Sequence, residues 1–153
     1  NTRAEPRDAL GQPAGAKLHD LELRFIAATP ALLLDVSVVH PSAQSHVVAA
    51  QRELGASAKR ERAKTLKYTN LASAEGARFS PFVLESYGAF SKSALSILDW
   101  LGMQAQQNGQ FSDVNVSRKF MIESLSVCLM RGNARISIEG THLTIRGTRP
   151  QRF

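Results

Sequence analysis

The chain has 153 residues, 43% of them hydrophobic and 21% charged, which fits a single hydrophobic core and is too apolar for a disordered segment. Its 19 Lys+Arg against 13 Asp+Glu leave a net charge of +6, which favours polyanions as partners. The single cysteine, Cys128, excludes an internal disulfide framework and any zinc site built on several thiolates, and no apolar run is long enough to span a bilayer.

Residues 1–17 carry prolines, glycines and charges without apolar periodicity and read as a loose entry segment. The chain opens at Asn1 without an initiator methionine, which suggests a piece of something longer. From Leu21 the alternation Leu21, Leu23, Phe25 predicts a strand, and Thr29-Pro30 a turn. A second strand is expected from Ala31 to Val39, closed by His40-Pro41. Ser42 to Gly76 is rich in Ala, Lys, Arg and Glu and predicts helix, interrupted near Gly55 and stopped at Gly76.

Arg78 to Ser86 predicts a third strand, with Phe79, Pro81, Val83 and Glu85 on one face and Phe82 and Leu84 on the other. Pro81 cannot donate to a ladder, so a bulge or the end of the paired region is expected there. Ser91 is a helix cap for the apolar positions Leu95, Ile97, Leu98, Leu101 and Met103, and Asn108-Gly109 ends that helix. A further helix is expected over Asp113 to Met130, with Val116, Phe120, Leu125 and Cys128 inward and Gly132 as its stop. Alternation at Ile136, Ile138, Leu143 and Ile145 around Gly140-Thr141 predicts a C-terminal hairpin. The order β-β-α-β-α-α-β-β describes an α/β sheet domain.

Asp35 lies inside the apolar run from Leu32 to Val39, where an ionised carboxylate costs several kcal/mol unless a cation, a metal or several donors hold it. The competing reading is a strand-end cap. Glu85 repeats the pattern at the end of Phe82-Val83-Leu84, and Asp20 stands just before the first strand. Five of the nine residues from Lys59 to Lys67 are basic, and Lys64 and Lys67, three apart, share a helix face. Three acids on neighbouring strands under a lysine-bearing helix suit Mg²⁺, or Mn²⁺, acting on a phosphodiester: carboxylates hold the ion and a lysine neutralises developing charge. A solvated basic face is the plainer reading of that helix.

The ordered set His19-Asp20-Leu21, Leu34-Asp35-Val36-Ser37-Val38 with His40-Pro41, Lys64-x-x-Lys67-Tyr68 and Pro81-x-x-x-Glu85-x-x-Gly88 resembles the restriction-like endonuclease domain at the C-terminus of many non-LTR retrotransposon polyproteins. That domain belongs to the PD-(D/E)XK nuclease superfamily. The resemblance covers roughly residues 5 to 134, where Arg131-Gly132-Asn133-Ala134 resembles the closing helix of the group.

It implies a restriction-endonuclease-like core over 18–134, a central mixed sheet flanked by helices, followed by the hairpin and basic tail over 135–153. It implies Asp20 and Asp35 as metal-binding acids, with Lys64 or Lys67 in place of the motif lysine, whose own position holds Ser37. His19 replaces the usual proline. Glu85 is expected as a further metal ligand on the burial argument alone.

The implied activity is nicking of target DNA for target-primed reverse transcription. The partners would be the DNA duplex, the element RNA and other domains of the same polyprotein, in the nucleus on host chromatin, with no membrane. Nucleic-acid contacts are expected from Lys59, Arg60, Arg62 and Arg131.

Two other readings stand beside it. A catalytically degenerate nucleic-acid-binding module on the same fold follows from the departures at Ser37 and His19. A structural or oligomerising domain would use the C-terminal hairpin as a pairing edge. Zinc at His40 and His46 matches no ligand spacing, and Trp100 at helical spacing reads as core.

Overall fold

A computed structural model describes residues 19–24 and 30–147. The entry segment, Phe25, the Thr29 side of the first turn and the tail beyond residue 147 lie outside the described residues. The architecture is α/β: a three-stranded mixed sheet with helices on both faces.

Strand β1 (Leu21–Leu23) pairs antiparallel with β2 (Leu32–Val39), which pairs in parallel with β3 (Arg78–Glu85), so β2 is central. Parallel neighbours need a crossover. Helix α1 (Gly55–Ala74) supplies it, preceded by a short 3₁₀ turn at Ala49–Gln51.

The start of α1 is fixed by one glycine. A Cβ on Gly55 would sit 1.8 Å from the Ala49 carbonyl oxygen, so only glycine lets the 3₁₀ turn close against the helix. Its end is a Schellman motif: Gly76 has φ +67°, and the Ala77 amide donates to the Ala72 carbonyl.

Pro81 is mid-strand, opposite Asp35, with no bulge. The amides of Arg78 and Ser86 donate to β2, so the alternate positions of β3 turn their amides to the outer edge, and the proline nitrogen falls there. Edge geometry makes the missing donor harmless.

Helices α2 (Lys92–Gln107) and α3 (Val114–Gly147) cover the face of the sheet opposite α1. The Ser91 hydroxyl accepts from the Ala94 amide, and Asp113 Oδ1 accepts from the Asn115 and Val116 amides, so each helix has its expected kind of cap. The main core joins Leu34, Phe82 and Leu84 of the sheet to Ile97 and Leu98 of α2 and Leu129 of α3. Burying each such side chain contributes about 1.5–3 kcal/mol. On the α1 side, Val39 and Val83 pack on Ala56.

Two expectations about α3 fail. Its inward face is Ser117, Met121, Ile122, Leu125 and Leu129, while Val116, Phe120 and Cys128 are exposed. The cause is a close crossing of small residues: a Cβ on Gly102 of α2 would meet Val114 at 3.2 Å, and Ser117 is fully buried there. That contact sets the rotation of α3.

The C-terminal hairpin is absent among the described residues. Helix α3 runs through Gly132 and Gly140 to Gly147, so no boundary separates 134 from 135, and Ile136 and Ile138 are 70% and 59% exposed. A lone hairpin is marginal without a surface to bury against, whereas extending a formed helix gains one hydrogen bond per residue. Arg135 and Glu139 add an i,i+4 ion pair on the same segment. No helix among the described residues is long and apolar enough to cross a membrane.

Candidate active site

The site is built by two matching periodicities. Alternate residues of β2, Asp35, Ser37 and Val39, point to one face about 6.6 Å apart at ~3.3 Å per residue. Every fourth residue of α1, Ala56, Arg60 and Lys64, recurs about 6 Å apart at ~1.5 Å per residue. Laid antiparallel, the two rows meet pairwise: Val39 on Ala56, Ser37 with Arg60, Asp35 with Lys64.

Asp35 is 8% exposed. Lys64 Nζ donates to its Oδ1 at 2.8 Å and the Ser37 hydroxyl donates to its Oδ2 at 3.2 Å. Arg60 Nε donates in turn to Ser37 Oγ at 3.4 Å. The ion pair is largely removed from solvent, with the Lys64 and Asp35 side chains 16% and 12% exposed. Tyr68, one turn after Lys64 and packed on Phe79 of β3, places its ring 5.3 Å from Lys64 Nζ and 4.8 Å from Lys67 Nζ.

Asp20 joins from the other side of β2. Its amide donates to the Leu34 carbonyl and its Oδ2 accepts from the Val36 amide at 2.8 Å, so the side chain continues the β1 ladder by one bond. The Val36 nitrogen follows Asp35 by one peptide bond. The Asp20 carboxylate is therefore within about 6 Å of the Asp35 Cα. Among the described residues nothing holds Asp20 Oδ1.

The structure thus joins Asp35 to Lys64 and, through Ser37, to Arg60, and seats the Asp20 carboxylate on the next peptide, at the Val36 amide. It separates the rest. Glu85 pairs in register with Val39, four residues and about 13 Å along the sheet from the Asp35 row. Its Oε1 accepts from the Ser57 amide at 3.1 Å, so it anchors the α1 N-terminus, where an acid also complements the helix dipole.

No group of three His, Cys, Asp or Glu side chains among the described residues converges to hold a metal, so the expected three-acid cluster is not formed among them. Lys67 stands on the outer side of Tyr68, exposed. Lys59 donates to the Ser45 carbonyl, and Arg62 on α1 and Arg131 on α3 are exposed. His40 bonds through Nδ1 to Ser86 Oγ at 2.6 Å.

Arg60, expected on nucleic acid, and Ser37, expected only as the place of a missing lysine, both serve Asp35 instead. The signal for their role was there: residues two apart on the strand facing residues four apart on the helix. No protein-family model, curated protein or solved structure matches this chain.

Chemically, two carboxylates offer only oxygen donors. That donor set fits Mg²⁺ or Mn²⁺, which take oxygen ligands, and Mg²⁺ commonly keeps several waters beside one or two protein carboxylates. Asp20 and Asp35 would hold such an ion. Lys64 then stands as a part-buried point charge on Asp35.

Proposed function

We propose that the chain is a divalent-metal-dependent phosphodiesterase acting on DNA, a restriction-like nuclease with Asp20, Asp35 and Lys64 as its working groups. The observation that carries this reading is the Lys64–Asp35 pair at 2.8 Å with the Asp20 carboxylate seated on the adjacent peptide. A bound Mg²⁺ would polarise the phosphate and lower the pKa of an attacking water.

The protein's own residues account for the rest. Ser37 and Arg60 orient Asp35 through one of its oxygens, leaving the ion pair on the other to exchange partners. Lys64 can turn from Asp35 to a phosphate oxygen as negative charge develops there, a site already desolvated by α1. Exposed Arg62 and Lys67 on the same helix give the duplex backbone its electrostatic footing. In the retrotransposon setting that the sequence motifs resemble, the nick would expose a 3′-hydroxyl for reverse transcription of an element's RNA.

A specific observation favours a second reading. Both oxygens of Asp35 already have protein donors, as in a purely structural ion pair. On that reading the chain is a nucleic-acid-binding module on the same fold without catalysis.

The test is relaxation of supercoiled plasmid with Mg²⁺ or Mn²⁺ by the native protein and by Asp35→Ala. Nicking by the native chain alone, abolished by EDTA, is expected. Equal nicking by both removes the nuclease reading. Binding that survives EDTA, weakens steeply with salt and never leads to cleavage selects the binding module.

A further inference from the structure

The face of the sheet away from Asp35 carries a cleft that the candidate site does not use. The β3 residues on that face are Arg78, Ser80, Phe82 and Leu84. Phe82 and Leu84 enter the core, but Ser80 lines, with Ser93 and Ser96 of α2, a cavity of about 620 Å³. Three serines where a sheet–helix interface ordinarily holds large apolar side chains leave the layer unfilled. Leu23, Leu32 and Ile97 give it an apolar wall, and Trp100 lines it as well.

Its charge is one-sided. Arg78 and Lys92 both line it, both are exposed, and neither has an ion-pair partner among the described residues. No carboxylate is among its described lining residues, although Glu61 Oε1 accepts from the amide of the lining Ser93 at 3.1 Å. A concave site of a few hundred Å³ with apolar walls and a few convergent polar groups is the usual form of a small-molecule site. Two cations match a phosphate, hydroxyls match a sugar, and a tryptophan matches a planar base.

We propose that this cleft binds a nucleoside 5′-monophosphate group, with the phosphate between Arg78 and Lys92 and the base against Trp100. The same chemistry is presented by a free nucleotide and by the 5′-phosphorylated end of a nucleic-acid strand. The proposal stands apart from the nuclease reading, because Asp35 and its partners lie across the sheet.

Trp100 is the only tryptophan in the chain, so its emission reports from the cleft itself. The protein is titrated with a 5′-mononucleotide, the matching nucleoside, inorganic phosphate, and a short single strand with either a 5′-phosphate or a 5′-hydroxyl. Calorimetry runs in parallel, so that binding is read even if the emission is silent.

Saturable binding of the mononucleotide is expected, with the nucleoside and inorganic phosphate each weaker by about tenfold or more. The Arg78→Ala/Lys92→Ala variant, whose changes are both at exposed positions, should lose a similar factor, and Asp35→Asn should lose nothing. Equal affinity for mononucleotide and phosphorylated strand assigns the site to free nucleotides. Preference for the phosphorylated strand over its 5′-hydroxyl counterpart and over the mononucleotide assigns it to strand ends. No saturable binding of any phosphorylated ligand to folded protein, or unchanged binding by the double variant, overturns the proposal.

Discussion

Lys64→Met tests the buried ion pair most sharply. The substitution keeps length and apolar contact but leaves Asp35, 8% exposed, with the Ser37 hydroxyl as its only remaining side-chain donor among the described residues. Removing one partner of a buried pair costs about 3–5 kcal/mol, because the other charge is left in a poor solvent. At this chain length each kcal/mol lowers Tm by roughly 2–4 °C, so a fall on the order of 6–20 °C is expected. Asp35→Asn should cost less, about 1–3 kcal/mol, since the lysine can reach toward water along its flexible stem.

The double variant Asp35→Leu/Lys64→Met should be far better than the sum, since an apolar replacement of a buried pair is often near neutral. Urea unfolding of the native chain, Lys64→Met, the matching single Asp35→Leu and the double variant gives the coupling, expected at about 2–3 kcal/mol. A loss below ~0.5 kcal/mol for Lys64→Met, within the range of ordinary surface changes, or additive singles, would refute a desolvated contact between these groups.

Four further outcomes follow from the fold and the site. Mg²⁺ at ten times its dissociation constant should stabilise the native chain by about 1.4 kcal/mol, and Asp20→Asn and Asp35→Asn should each remove the shift in a thermal melt. Glu85→Ala should cost about 1 kcal/mol by uncapping α1 while leaving metal-dependent stabilisation and plasmid nicking in place; loss of the metal effect would restore Glu85 as a ligand. Gly55→Ala should fail to give soluble folded protein or lose several kcal/mol, because its methyl meets the Ala49 carbonyl at 1.8 Å; a native-like melt would contradict the α1 entry. Gly132→Ala should add about 0.5–1 kcal/mol, as expected for an open helix interior, whereas a helix stop there would make the change destabilising.

What could be read from the residues divides along physical lines. Local signals were legible where they depend on a few neighbouring residues, as in the period-two strands, the Ser91 cap and the stop at Gly76; the helix expected from Ser42 is instead turns and the 3₁₀ stretch Ala49–Gln51, and α1 starts only at Gly55. So was the strangeness of Asp35, because a carboxylate in an apolar run needs a partner wherever the strand lies.

Long-range geometry was not legible. Nothing local distinguishes Lys64 from Lys67; the choice is made by where α1 crosses β2, and that crossing is set by Gly55 and the Ala56–Val39 contact. Glu85 and Asp35 look alike in sequence, yet four residues of strand place one at a helix N-terminus and the other beside Asp20. The inward face of α3 departs from its hydrophobic pattern because Ser117 and Gly102 pack by being small. The alternation at Ile136 and Ile138 carried no strand because no sheet surface is there to bury it.

Crystals of the native chain soaked in Mn²⁺, examined by anomalous scattering, test the central claim most directly. A peak bridging an oxygen of Asp20 and an oxygen of Asp35, with Lys64 Nζ beside it and Glu85 still on the Ser57 amide, is the expected result. Ordered Asp20 and Asp35 side chains with no peak between them, and Lys64 unmoved on Asp35, would contradict it.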